Sequence, residues 1–320
     1  MSAGSAGRAM SRRDRFLAAV EGRAVDRPPV TAWVHFMSDH LSGDDVAELH
    51  HKFLRAYDWD VAKLMNDYRY PVPAGLELLD TADAMRRFKR LPLDERCFAE
   101  QLRAIECLRR ELGPDWPILD TLFDPYQQVL RNVGFNQAAA IPAHREAALE
   151  MLDSVADTLC RYIGAARAAG ADGFFLSING AIRAGFPRGA DDATYRDFQR
   201  PFDLRMLAAA EGAVRVLHVH GTGLDLDRVI DYPCEAFSLS DRLSGNPSLA
   251  EMRRRTDRCL MGGIDETRIQ EKPLPEVRAE IDDALAQAGR ERFILAPGCT
   301  LPSFTPQRTL RHVRDYTLRT

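Results

Sequence analysis

What this sequence lacks narrows its function before any motif is read. No apolar run approaches the roughly 20 residues needed to cross a bilayer as a helix. Positive charge is not in excess. The net charge is −4, so no global field draws nucleic acid or an anionic membrane surface. The six cysteines (Cys97, Cys107, Cys160, Cys234, Cys259, Cys299) include no CxxC pair. They are expected as free thiols, not as a disulfide framework. The opening MSAGSAGRAMSRRDR has no apolar core of the kind a secretory signal needs. Residues 1–10 therefore read as a flexible N-terminal tail, and the expected compartment is the cytoplasm. No GxGxxG follows the first β-like run, which removes the fingerprint of a dinucleotide-binding sheet. Low-complexity linkers and repeats of roughly 20–50 residues are also missing.

What is present is ordinary in amount and regular in order. The chain has 320 residues, 45% of them apolar and 28% charged, as in a soluble globular protein. That length buries a large core. Eight short β-rich runs are expected as strands: 29–36, 60–65, 117–123, 173–179, 214–221, 235–241, 259–265 and 293–299. Helical periodicity fills 144–170, 192–212, 274–289 and 305–316, and Gly170, Gly212 and Gly289 supply stop signals. Strands separated by helices pair in parallel, because each crossover needs a dozen or more residues. Eight such units favour an α/β fold of the (β/α)8 TIM-barrel type over an open doubly wound sheet. Segment 66–116, with helical patterns at 80–90 and 93–112, reads as an elaborated connection. Residues 11–320 are then one barrel domain.

The polar residues fall at the strand ends. His35 ends the first run, Asp67 follows the second, and Asp124 and Tyr126 follow the third. Ser177 and Asn179 end the fourth, His218 and His220 the fifth, Asp241 the sixth, Asp265 the seventh and Cys299 the eighth. In a barrel these ends meet at one mouth, where sites are built. Part of the set is expected to be structural. Asp241 and Asp265 equally read as helix caps, and Asp67, in NDYRYP, as a loop carboxylate paired with Arg69. Cys259 starts a strand, away from the mouth. His218 and His220 are the sharpest pair, since residues i and i+2 of a strand share a face. Two neutral imidazoles there can hold one divalent metal. A thiolate from Cys299 would complete three ligands with one open position, the layout of a catalytic zinc site. The alternative is one hydrogen-bonded core histidine and one histidine that contacts an anionic substrate.

The stretches VDRPPV, VLHVHG, LMGGIDE and ILAPGCTLPSFTPQRTL resemble, in order and spacing, motifs of the uroporphyrinogen decarboxylase-like superfamily. The resemblance runs from about residue 11 and implies a TIM barrel. It offers two chemistries: haem-pathway decarboxylation, and zinc-dependent methyl transfer between corrinoid proteins and thiols. Asp67 matches the catalytic aspartate of the decarboxylases. Their arginine-bearing segment after the first strand is here TAWVHFMSDH, without arginine. Their final Gly-His-Gly is here Pro297-Gly298-Cys299. Both departures argue against an authentic haem-pathway enzyme. The methyltransferase branch carries His-x-Cys-Gly on strand five and a cysteine at the end of strand eight. This chain matches with His218, Gly221 and Cys299, and has His220 in place of the first cysteine.

The resemblance thus implies Zn2+ on His218, His220 and Cys299, and a methylcorrinoid carried by a separate corrinoid protein. Asp67 and Cys299 are the expected catalytic residues. His35, Tyr126, Ser177, Asn179 and Asp241 are expected to contact a small-molecule substrate. A homodimer is what the family implies. The alternative is a metal-free decarboxylase of a small or pyrrolic carboxylate. In it Asp67 stabilises the electron-poor ring while Tyr126 and Ser177 hydrogen-bond the substrate.

Overall fold

The structure is a computed structural model in which residues 9–319 are described. Seven strands form one sheet: β1 (Ala62–Leu64), β2 (Ile118–Phe123), β3 (Gly173–Ile178), β4 (Val214–Val219), β5 (Ala236–Leu239), β6 (Cys259–Ile264) and β7 (Phe293–Pro297). Neighbours pair in parallel and in sequence order. Helices fill most of the crossovers, as parallel pairing requires.

An eighth strand was expected at 29–36 and is not formed among the described residues. Val30 and Val34 make only isolated parallel bridges, to Leu295 and Leu301. On the other side, Asp60 N–H donates to Val30 O at 2.9 Å. The segment therefore spans from β7 toward β1 without a continuous ladder, and the curled sheet is TIM-barrel-like. The reason lies in the backbone donors. Pro28 and Pro29 have no N–H to give. The next donor, Val30 N–H, is taken by Asp60 Oδ2 at 2.9 Å, and the Thr31 hydroxyl donates to Val61 O at 2.8 Å.

Two apolar clusters follow from strand alternation. Leu217, Val219 and Phe237 face outward to the helices. Val61, Met65, Leu119, Phe175, Val216, Met261 and Ile294 face inward. The first helix, Arg12–Glu21, adds Phe16, Ala19 and Val20 to this inner cluster. Cys259 is buried in it too, away from the strand ends that carry polar groups.

Helix Arg145–Ala169 stops at Gly170, whose φ of 116° suits glycine alone. The stretch expected as one helix at 192–212 is broken in period. A wide turn, Tyr195–Gln199, separates Asp192–Thr194 from Arg200–Ala209. Pro201 supplies the cause, because it cannot donate to the preceding turn. Segment 66–116 carries helices Ala82–Arg86 and Arg96–Leu112. Of the expected tail, 1–8 lie outside the described residues. Met10 is held, its N–H donating to Asp26 Oδ2 at 2.9 Å. Among the described residues no helix is long and apolar enough to cross a membrane. The six cysteines are unpaired.

Candidate active site

The strand ends enclose a cavity of about 300 Å³. Five residues singled out in the sequence line it: His35, Ser177, His218, His220 and Cys299. Trp33, Phe123 and Phe175 supply aromatic walls, and Lys63, Arg131 and Arg188 supply positive charge.

Strand alternation puts His218 on the inner face of β4, and His220 follows two residues on. The His218 ring stacks on Phe175, with centroids 4.8 Å apart. Its Nδ1 lies 3.2 Å from the hydroxyl of Ser238, its register partner on β5. That bond leaves Nε2 for another partner. His220 is anchored through its backbone N–H to Ile178 O at 3.0 Å. Its Nδ1 lies 3.7 Å from Cys299 Sγ. Cys299 arrives on the turn after β7 through Gly298. A Cβ at Gly298 would stand 2.5 Å from Ser240 Cα, so the close approach needs glycine. One donor atom from each of His218, His220 and Cys299 lies within 4.8 Å of the others.

The electrostatics suit the two histidines as neutral donors. Burial holds the His218 imidazole well below its ordinary pKa, with His220 and Lys63 adding to the effect. Burial also pulls His220 down to about 4, helped by Arg188 and Arg131. The Cys299 thiol is pushed up by burial. Two neutral imidazoles and one cysteine, once deprotonated, match the donor types of a three-ligand zinc site with an open position.

The other expected site residues are placed differently. Asp67 was expected to line the same cavity as Cys299, and it does not. It stands behind His35, accepting from His35 Nδ1 at 2.5 Å. Its second oxygen accepts from Ser38 N–H at 3.2 Å and from the Ser38 hydroxyl at 3.1 Å. Burial works to raise the Asp67 pKa, but the bonds from His35 and Ser38 prevail and hold it at about 2. Its partner is thus His35, not Arg69.

Tyr126 is buried in helix Pro125–Val133 and outside the cavity lining. Burial pushes its phenol up to about 12. Asn179 is also buried behind the lining; its backbone N–H donates to Asp124 Oδ2 at 3.3 Å. Asp241 accepts from Gly263 N–H at 2.8 Å and so ties the end of β5 to β6. It caps no helix, and burial raises its pKa to about 6. Asp124 caps the helix after β2 through Gln127 N–H at 2.7 Å. Asp265 accepts from Thr267 N–H at 3.0 Å and pairs with Lys272.

Lys63, Arg131 and Arg188 were not singled out from the sequence. Lys63 had a signal: it is the one charge in DVAKLM after the initial Asp60, on the same face as Val61 and Met65. Arg131 and Arg188 lie on a helix and a loop with no local pattern to mark them.

A family model described as Uroporphyrinogen decarboxylase (URO-D) matches residues 11–318. Among solved structures, the fold is similar to that of a methyltransferase from Methanosarcina mazei. That match has 18% identity and a TM-score of 0.75, and covers 97% of this chain and 99% of the other. It is also similar to a B12-independent methionine synthase from Shewanella sp. W3-18-1 in complex with selenomethionine. There the identity is 14%, the TM-score 0.58 and the coverage 92% and 94%. At these identities the likeness is one of fold. No curated protein matches the chain in sequence. On a family match that spans nearly its whole length, the chain belongs to the uroporphyrinogen decarboxylase (URO-D) family.

Proposed function

We propose that this protein is a zinc-dependent methyltransferase that moves a methyl group between a corrinoid and a thiol. The observation that carries the reading is the convergence of His218, His220 and Cys299 donor atoms within 4.8 Å on a cavity wall. Ser238 fixes the His218 tautomer by accepting from Nδ1–H, so that Nε2 offers its lone pair. Cys299 would ligate as thiolate. Burial opposes that charge, and a neighbouring cation offsets the opposition. Zinc, when bound, supplies a Lewis acid that lowers the pKa of an acceptor thiol. His35, oriented by Asp67, takes up the thiol proton at Nε2. The aromatic walls exclude water. A separate corrinoid protein would present the methyl group, which would pass to the thiol sulfur while the bonding pair stayed with the corrinoid. The unpaired cysteines suit a cytoplasmic enzyme.

A second reading, metal-free decarboxylation of a small carboxylate, is favoured by one observation: Lys63 lies in the cavity. Lys63 would hold the carboxylate, CO2 would leave, and His35 would supply the replacing proton. The two readings separate in one assay. Protein mixed with methylcobalamin and a small thiol should yield thioether and cob(I)alamin, and Cys299→Ser should not. Zinc-loaded protein that forms no thioether with any thiol, yet releases CO2 from a small carboxylate, would overturn methyl transfer.

A further inference from the structure

We propose that the cavity carries an anion-binding subsite formed by Lys63, Arg131 and Arg188, and that its substrate is a small organic acid. The inference rests on this cavity being the substrate site. It does not depend on zinc.

The three cations have too few acceptors. Lys63 is buried, and among the described residues its one hydrogen bond runs to Met65 Sδ at 2.5 Å. Its ammonium otherwise rests over the rings of Phe175 and Trp33, at 4.4 and 4.8 Å. Arg131 lies over Phe123 at 3.5 Å from the ring centroid and makes no hydrogen bond or ion pair among the described residues. Arg188 lies over Phe135 at 4.4 Å, and its one hydrogen bond is a long one, 3.4 Å, to His220 Nε2. Stacking on a ring fixes a guanidinium plane and leaves its N–H edge free to fork onto an acid group.

Nearby carboxylates are already engaged. Asp67 is taken by His35 and Ser38. Asp124 caps its helix. Elsewhere in the interior the rule is pairing: Arg15, Arg27 and Arg314 all meet Asp60. A buried cation without an acceptor is unfavourable. Its cost here shows as a Lys63 pKa pulled down by burial to about 7, and an Arg131 pKa pulled down by burial, Arg69 and Arg188 to about 10. A ligand acid group would supply what the chain omits. Segment 31–40 has no arginine. The charge comes instead from β1, from helix Pro125–Val133 and from the loop after β3. A volume of about 300 Å³ limits the ligand to a small molecule.

Carboxylate, sulfonate and phosphate share this chemistry, so the test uses one probe of each. Succinate, ethanesulfonate and inorganic phosphate are titrated calorimetrically into the full chain, with succinamide as the neutral control. At least one acid should bind, more weakly as salt rises, and succinamide should not. Lys63→Met, Arg131→Met and Arg188→Met should each weaken that acid by about tenfold or more. The titrations are run on chelator-treated and on zinc-incubated protein, and the acid should bind both with similar affinity, which separates this subsite from zinc. Without ligand, Lys63→Met should unfold at a higher temperature, because an unpaired buried charge is removed; a structural lysine would give the reverse. Absence of acid binding, equal binding of succinamide, or full affinity in the arginine variants would overturn the proposal.

Discussion

Asp60 stands where an eighth strand would have closed the sheet, and its replacement should weaken the whole fold. The side chain is fully buried. Oδ1 accepts from Arg15 Nη1 at 3.0 Å and from Arg27 Nη2 at 2.9 Å. Oδ2 accepts from Arg27 Nη1 at 2.5 Å, Val30 N–H at 2.9 Å and Arg314 Nη1 at 3.4 Å. One carboxylate thereby joins the first helix, the closing segment and the last helix, Gln307–Thr317. Asp60→Asn keeps the volume, removes the charge and turns one oxygen into a donor that faces donors. Removing one partner of a buried pair costs about 3–5 kcal/mol. Unfolding entropy of about 2.1 cal/mol/K per residue gives roughly 0.7 kcal/mol/K for a chain of this length. The midpoint should therefore fall by about 4–7 °C in a thermal scan followed by circular dichroism. Asp58 is the control, because it pairs with Arg12 and Arg314 while its side chain is half exposed. Asp58→Asn should cost no more than about 1 kcal/mol. An Asp60→Asn shift as small as the Asp58→Asn shift would refute the reasoning.

Three further outcomes follow. His50 is buried, with Nδ1 2.9 Å from Val46 O and Nε2 accepting from Met65 N–H at 3.1 Å. Burial lowers its pKa from 6.5 to about 4, so the unfolded chain takes up the proton first. The stability this neutral ring contributes is complete above pH 6.5 and is lost as pH falls toward 4. His50→Gln should flatten the denaturation midpoint across that window, and an unchanged slope would assign the acid loss elsewhere. Ser238→Ala frees His218 Nδ1 and should weaken zinc binding by about 10–100-fold, read by competition with a chromophoric chelator. Asp67→Asn leaves His35 without its carboxylate and should lower kcat by about a hundredfold with zinc content unchanged. Loss of zinc in that variant would show that the pair is structural.

The parts of this molecule that were legible in the sequence are those governed by short-range rules. Period-two alternation put His218, on β4, and His220, just past its end, on one side, and parallel crossovers brought Cys299 to them. Glycine stops placed the end of helix Arg145–Ala169. The failures come from competition at a distance. Val30 reads as a strand residue, but its donor is captured by Asp60, thirty positions later. Asp241 looks like a cap, yet its oxygen finds Gly263 N–H on the next strand. Asp67 follows a strand as Cys299 does, but it is bonded to His35, which lines the cavity while Asp67 does not. Lys63 shows the opposite case, a lone cation on an inward face whose meaning emerges only when no carboxylate is found beside it.

The central claim is a metal centre at His218, His220 and Cys299, and zinc stoichiometry tests it most directly. Protein purified without chelator and analysed by plasma mass spectrometry should carry close to one zinc per chain. Cys299→Ser, folded by circular dichroism, should lose most of it. Wild-type protein that is metal-free, and stays so after incubation with zinc, would contradict the account.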